Sequence, residues 1–171
     1  MRRGLAALLG ARGYAVETFP SAEAFLARVP PAPPACLIAD VRMPGMSGLE
    51  LQAELKRRGA RLPVIVITGH GDVAMAVSAL KAGALDFIEK PFDADALVAA
   101  VREGIAHSMA AAARGADRAE AARRVAALTP REREVMDLVV AGQPNKVIAF
   151  RLQIAIRTVE IHRARVMEKM E

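Results

Sequence analysis

Cys36-Leu37-Ile38-Ala39-Asp40-Val41-Arg42-Met43-Pro44-Gly45-Met46-Ser47-Gly48 decides how the first part of this chain folds. Its opening four residues are apolar at every position instead of alternating, which marks a strand covered on both faces in a parallel sheet. Val64-Ile65-Val66-Ile67 has the same character, and Tyr14 to Phe19 and Leu85 to Ile88 are two more short apolar runs. The segments between them carry helical spacing: Ala22, Phe25, Leu26 and Val29; Leu51 and Leu55; Val73, Ala76, Val77 and Leu80; Leu97, Val98, Val101 and Ile105. Leu5, Leu8 and Leu9 put a further amphipathic helix at the start. Strand and helix alternate, so residues 1–106 are expected to form a doubly wound α/β domain.

Composition limits the alternatives. With 171 residues, 53% of them hydrophobic, the chain can bury a core as one domain or two small ones. A lone cysteine, Cys36, excludes a disulfide framework and suits a reducing cytoplasm. The basic and then apolar start superficially resembles a secretory leader, but Arg12 interrupts it, and no run approaches the ~18 apolar residues of a membrane span. Residues 1–106 hold 12 Lys and Arg against 11 Asp and Glu, whereas residues 107–171 hold 12 against 8. A basic module beside a near-neutral one suggests a polyanionic partner, though a solvated face would give the same count.

Residues 107–127, rich in alanine and arginine, read as a helical linker or equally as the tail of the preceding helix. From 128 to 171 the pattern changes to short helices. Thr129 and Glu132 form a capping box around Pro130, Val135, Leu138 and Val139 supply a buried face, and Gly142 stops the helix. Pro144 opens a second helix with Ile148 and Leu152, and a third runs from about Arg157 to Met170. Three short helices with surplus positive charge predict a small all-α helix-turn-helix domain.

In open α/β sheets, ligands bind beyond the carboxyl ends of the strands. Here those ends carry Asp40, Thr68 and Lys90, about one βαβ unit apart. A carboxylate can attack a phosphoryl group, an ammonium can neutralise a phosphoryl oxygen, and a hydroxyl can hydrogen-bond another. The three together predict a phosphoacceptor site.

Asp40 to Gly48, Val64 to His70 and Phe87-Ile88-Glu89-Lys90-Pro91-Phe92 resemble the receiver domain of two-component response regulators. Gly71-Asp72-Val73 and Phe87 to Phe92 are similar to FixJ-like members in particular. The resemblance implies that a sensor histidine kinase phosphorylates Asp40, that Lys90 contacts the phosphoryl group, and that Thr68 and Phe87 act as a switch pair. It also places Val73, Val77 and Lys81 on a surface, made by the fourth helix and fifth strand, that forms a homodimer on phosphorylation. An aspartyl-phosphate phosphatase of the haloacid dehalogenase type would need a second aspartate two residues after the nucleophile, where Arg42 stands, so an enzyme is not expected.

Leu128 to Val135, Gly142 with Asn145-Lys146-Val147-Ile148-Ala149, and Thr158-Val159-Glu160-Ile161-His162-Arg163 resemble the LuxR-type helix-turn-helix. The resemblance implies that the last helix enters the DNA major groove. Arg157, Glu160, Ile161, Arg163 and Ala164 are the candidates for the base-facing side, Lys146, Arg165 and Lys169 for phosphates, and Thr158 counts among the DNA-binding residues. His162 lies near the inward side with Val159, Val166 and Met170 and is read as packing, since no Cys/His cluster supports zinc. Alanine at position 155, where LuxR-type modules place serine or threonine, cannot cap the helix through its side chain.

A receiver normally opens with a strand ending in two acidic residues that hold Mg²⁺, whereas this sequence opens on the following helix. Mg²⁺ would then be left with Asp40, the backbone carbonyl of Arg42 and water. In the strand order 2-1-3-4-5 that the resemblance implies, Tyr14–Phe19 must pair directly with Cys36–Ala39 or leave backbone groups unpaired. A LuxR-type fourth helix would follow Glu171, so both ends read as incomplete. Two readings follow: a phosphorylation-activated transcription regulator, or else a truncated receiver-like interaction module that works without phosphorylation or a non-functional fragment.

Overall fold

The computed structural model describes residues 1–28, 31–69 and 73–171. Its elements run α1 (Arg2–Ala11), α2 (Ala22–Leu26), β1 (Leu37–Asp40), α3 (Gly48–Arg57), β2 (Val64–Thr68), α4 (Val73–Ala82), β3 (Asp86–Glu89), α5 (Ala94–Ala126), α6 (Pro130–Val140), α7 (Asn145–Leu152) and α8 (Ile156–Met170). Val29 falls outside the described residues, as do His70, Gly71 and Asp72, and the side chain of Val73 is likewise not described.

The chain divides into two compact units, Met1–Ala112 and Ala113–Glu171. In the first, β1, β2 and β3 form a parallel sheet in that order. Every residue of β2 is buried, as its unbroken apolar run requires. One face packs Ala39, Val64 and Val66 against Ala22 and Phe25 of α2, Leu51 and Leu55 of α3 and Ala79 of α4. The other packs Ile65 against Leu9 of α1 and Val98, Ala100 and Val101 of α5, with Ile38 and Ile88 joining from the outer strands. Helices on both faces of a parallel sheet are the doubly wound arrangement the sequence predicted.

One expected strand does not form. Tyr14–Phe19 makes no ladder, with β1 or anything else described. A strand persists only where a neighbour takes its backbone groups. Here Tyr14 instead donates its N–H to the Leu9 carbonyl at 3.1 Å, and the Phe19 carbonyl accepts from Arg2 at 2.7 Å. The segment and β1 both line a cleft of about 1050 Å³.

In the second unit α6, α7 and α8 close around Val135, Ile148, Ala149 and Val159. Thr129 caps α6 as predicted, its hydroxyl accepting the Glu132 N–H while the Glu132 carboxylate accepts the Thr129 N–H. Gly142, at φ 73°, takes the left-handed turn after α6. The run 107–127 is nearly all part of α5, a single helix of 33 residues that also contains Leu97, Val98 and Val101.

Candidate functional site

Parallel pairing brings the carboxyl ends of the three strands to one edge. Asp40 ends β1, Thr68 ends β2, and Lys90 follows β3. The Val41 N–H donates to the Ile67 carbonyl at 2.8 Å and the Lys90 N–H to the Thr68 carbonyl at 2.7 Å, which fixes where the strand ends sit. The Lys90 ammonium then reaches Asp40 Oδ2 at 2.5 Å, with both side chains about four-fifths buried. The Arg42 N–H donates to Asp40 Oδ1 at 3.1 Å. Thr68 is fully buried. It shares a sheet face with Val66, whose register partner is the half-buried Phe87, and Phe87 packs on the α2–α3–α4 side of the core.

The loop after Asp40 is held by groups that strand-end reasoning did not single out. An ideal Cβ on Gly48 would collide with the Asp40 carbonyl oxygen, so only glycine lets α3 start this close to β1. Ser47 caps α3 through a capping box with Glu50. The Glu23 carboxylate accepts the Met46 N–H at 2.8 Å, and that bond lowers its pKa. The Ser-x-x-Glu spacing was legible in the sequence; the reach of Glu23 across 23 residues had no local signal.

On the α4 surface Val77 and Lys81 are exposed, and Leu80 beside them is about half exposed.

In the second unit α8 turns Arg157, Glu160, Ile161, Ala164 and Arg165 outward on one face, and Lys146 on α7 is exposed as well. Thr158 is half-buried, with its N–H on the Ala155 carbonyl. Arg163 is drawn aside, donating to Asn145 Oδ1 at 2.7 Å. Lys169 points away from that face: it pairs with the buried Glu132 at 2.7 Å and donates to the Ala127 carbonyl at 3.2 Å. Its ammonium and the Thr129 amide hold the Glu132 pKa down to about 2. His162 is half-buried with an unpartnered Nδ1, and no metal-binding cluster occurs among the described residues. No side chain caps α8 at Ala155.

A phosphoacceptor-like strand edge on a doubly wound sheet, followed by a basic three-helix unit, defines a response-regulator architecture. Comparison with known proteins agrees: residues 1–102 match the response regulator receiver domain family, and residues 126–171 match the luxR family of bacterial regulatory proteins. The transcriptional regulatory protein FixJ of Azorhizobium caulinodans is 50% identical over the whole chain, which covers 81% of that protein. FixJ of Rhizobium meliloti is also 50% identical, with 84% of it covered. The solved structure of response regulator StyR superimposes with a TM-score of 0.85 at 40% identity, over 99% of this chain and 86% of that one. The chain belongs to the FixJ-like response regulators, two-component transcriptional regulators that join a receiver to a LuxR-type DNA-binding domain. That family implies a histidine kinase and DNA as partners.

Receiver domains generally use Mg²⁺ at the phosphorylation site. The residues described here do not fit that ion. Asp40 ends β1 at the strand edge, and both its oxygens are already engaged, by Lys90 and by the Arg42 amide. No group of three or more possible metal ligands occurs among the described residues.

Proposed function

We propose that Asp40 is the phosphoacceptor of this regulator and that its phosphorylation controls DNA binding by the α6–α8 unit. The observation that supports this is the Lys90–Asp40 ion pair at the strand edge, where the buried Thr68 ends the neighbouring strand. An Asp40 oxygen attacks the phosphorus of a phosphohistidine whose other ring nitrogen carries a proton, the P–N bond breaks with its electron pair returning to the ring, and neutral imidazole leaves. Lys90 exchanges its bond to Asp40 for one to a phosphoryl oxygen, which keeps its charge compensated. Thr68 hydrogen-bonds another phosphoryl oxygen, and Phe87, on the same sheet face, responds as its partner in the switch. Val73, Val77 and Lys81 then contribute to a homodimer surface. Arg157, Thr158, Glu160, Ile161, Arg163 and Ala164 face bases, while Lys146 and Arg165 meet phosphates. Lys169, tied to Glu132, is left out of that set. The reading places the protein in the cytoplasm, and among the described residues no helix is long and apolar enough to cross a membrane.

The engagement of both Asp40 oxygens supports a second reading, an interaction module that works without phosphate. Treatment of the chain with phosphoramidate, followed by mass measurement before and after hydroxylamine, separates the two. The phosphoacceptor reading predicts a hydroxylamine-labile phosphoryl adduct that Asp40→Asn abolishes. No adduct, or an adduct that survives in Asp40→Asn, favours the interaction module.

A further inference from the structure

The segment that follows Asp40 is pinned at its two ends. The Val41 N–H bonds to the Ile67 carbonyl on β2, and the Gly48 N–H returns to the Val41 carbonyl at 3.3 Å. Between them, from Arg42 to Met46, no backbone–backbone hydrogen bond occurs among the described residues. Met43 and Met46 rest on the core of the first unit, but a thioether on three rotatable bonds sets no direction for the main chain. Direction comes from two carboxylates. Asp40 Oδ1 accepts the Arg42 N–H at 3.1 Å, and Glu23 Oε1 accepts the Met46 N–H at 2.8 Å, reaching over from α2 across 23 residues of sequence. Gly45 makes room for that reach: its φ is 74°, and an ideal Cβ on it would lie 2.6 Å from Glu23 Oε1.

The two oxygens of Asp40 are held in different ways. Oδ2 is held by the Lys90 ammonium, on a flexible stem that can turn toward an incoming anion. Oδ1 is held by a main-chain N–H, which departs only if the segment itself moves. With Met46 tied to Glu23, the turn at Arg42 stays closed and Oδ1 stays engaged. Oδ2 is thereby the oxygen that can be released to attack.

We propose that Glu23 is a positioning residue for phosphotransfer: by tethering Met46 it keeps the Arg42 amide on Asp40 Oδ1 and so presents Oδ2 as the nucleophile. The assignment rests on the reading of Asp40 as phosphoacceptor. It adds that the orientation of that carboxylate is set from α2, an element outside the strand edge, and orientation of a nucleophile is a large part of its reactivity. With N-protonated phosphoramidate as donor, Oδ2 bonds to phosphorus as the P–N bond breaks, and neutral ammonia leaves.

The test uses the whole 171-residue chain and two variants. Glu23→Ala removes the acceptor for the Met46 N–H, whereas Glu23→Gln keeps an oxygen in its place. Two quantities are followed: the rate of phosphoramidate labelling by mass, and hydrogen exchange of the Arg42 amide by NMR. Glu23→Ala should slow labelling at least about tenfold and speed Arg42 exchange by roughly the same factor. Glu23→Gln should restore both to within about twofold of the unsubstituted chain. Because Glu23 is exposed, both variants should keep a cooperative melt. Labelling of Glu23→Ala at the unsubstituted rate, a Glu23→Gln form as slow as Glu23→Ala, or unchanged Arg42 exchange in Glu23→Ala would overturn the proposal. Failure of the unsubstituted chain to label would instead reject the phosphoacceptor reading, and Arg42 exchange would then decide alone whether Glu23 holds the segment.

Discussion

Glu132 joins two elements through one carboxylate. It completes the α6 capping box at Thr129 and accepts from Lys169 on α8, while being almost wholly buried. The Lys169 hydrogen bond and then the Thr129 amide hold its pKa at about 2, against an ordinary 4.5. A carboxylate depressed in the folded state stabilises the fold above its unfolded value, and that contribution is lost as pH falls toward the folded one. The second unit should therefore lose stability between about pH 4.5 and pH 2. Glu132→Gln keeps an acceptor for the cap but removes the ion pair, so chemical denaturation at a series of pH values should show lower stability near neutrality and a flatter acid limb. An unaltered acid limb would assign the loss to other carboxylates. The capping role was legible in the sequence because its partners lie three residues apart. The partnership with Lys169 was not, because its partner lies 37 residues away, and in sequence Lys169 stands with Lys146 and Arg165 as a candidate for DNA phosphates. Its flexible stem instead carries the ammonium back to Glu132 and the Ala127 carbonyl.

At the scale of elements, sequence pattern served best where one segment meets its surroundings in a single way. β2 is apolar throughout and buried throughout. Leu97, Val98 and Val101 recur at helical spacing and all face the core of the first unit. Tyr14–Phe19 misled because strand propensity does not make a strand without a ladder partner, and no strand among the described residues pairs with it. The α8 cap is a deficit visible in the sequence and in the structure alike. Ala155 already has the extended backbone of an N-cap residue, φ −67° and ψ 148°, with no side chain to accept a bond. Ala155→Ser should stabilise the unit by about 1 kcal/mol, raising its melting temperature by roughly 4–8 °C if the 59 residues of that unit unfold together. Calorimetry of the two forms measures this directly, and an unchanged transition would show that the Ala155 carbonyl bonds to Thr158 and Val159 already suffice.

For the whole molecule, the strand-edge triad and the three-helix unit were both readable because each depends on short motifs with local spacing. The roles of Glu23 and Gly48 were not, since Glu23 reaches the Asp40 loop from 23 residues away and the Gly48 requirement depends on how closely the start of α3 approaches the Asp40 carbonyl. The central claim is that a chemical event at Asp40 changes how the α6–α8 unit engages DNA. The direct measurement is the affinity of the chain for a duplex selected from a random pool, titrated at one fixed salt concentration with and without phosphoramidate. Salt must be held constant because contacts to DNA phosphates, proposed here for Lys146 and Arg165, would make affinity steeply salt-dependent. The account predicts that the donor shifts the affinity of the unsubstituted chain and leaves Asp40→Asn unmoved. An affinity indifferent to the donor in both, or shifted equally in both, would contradict it.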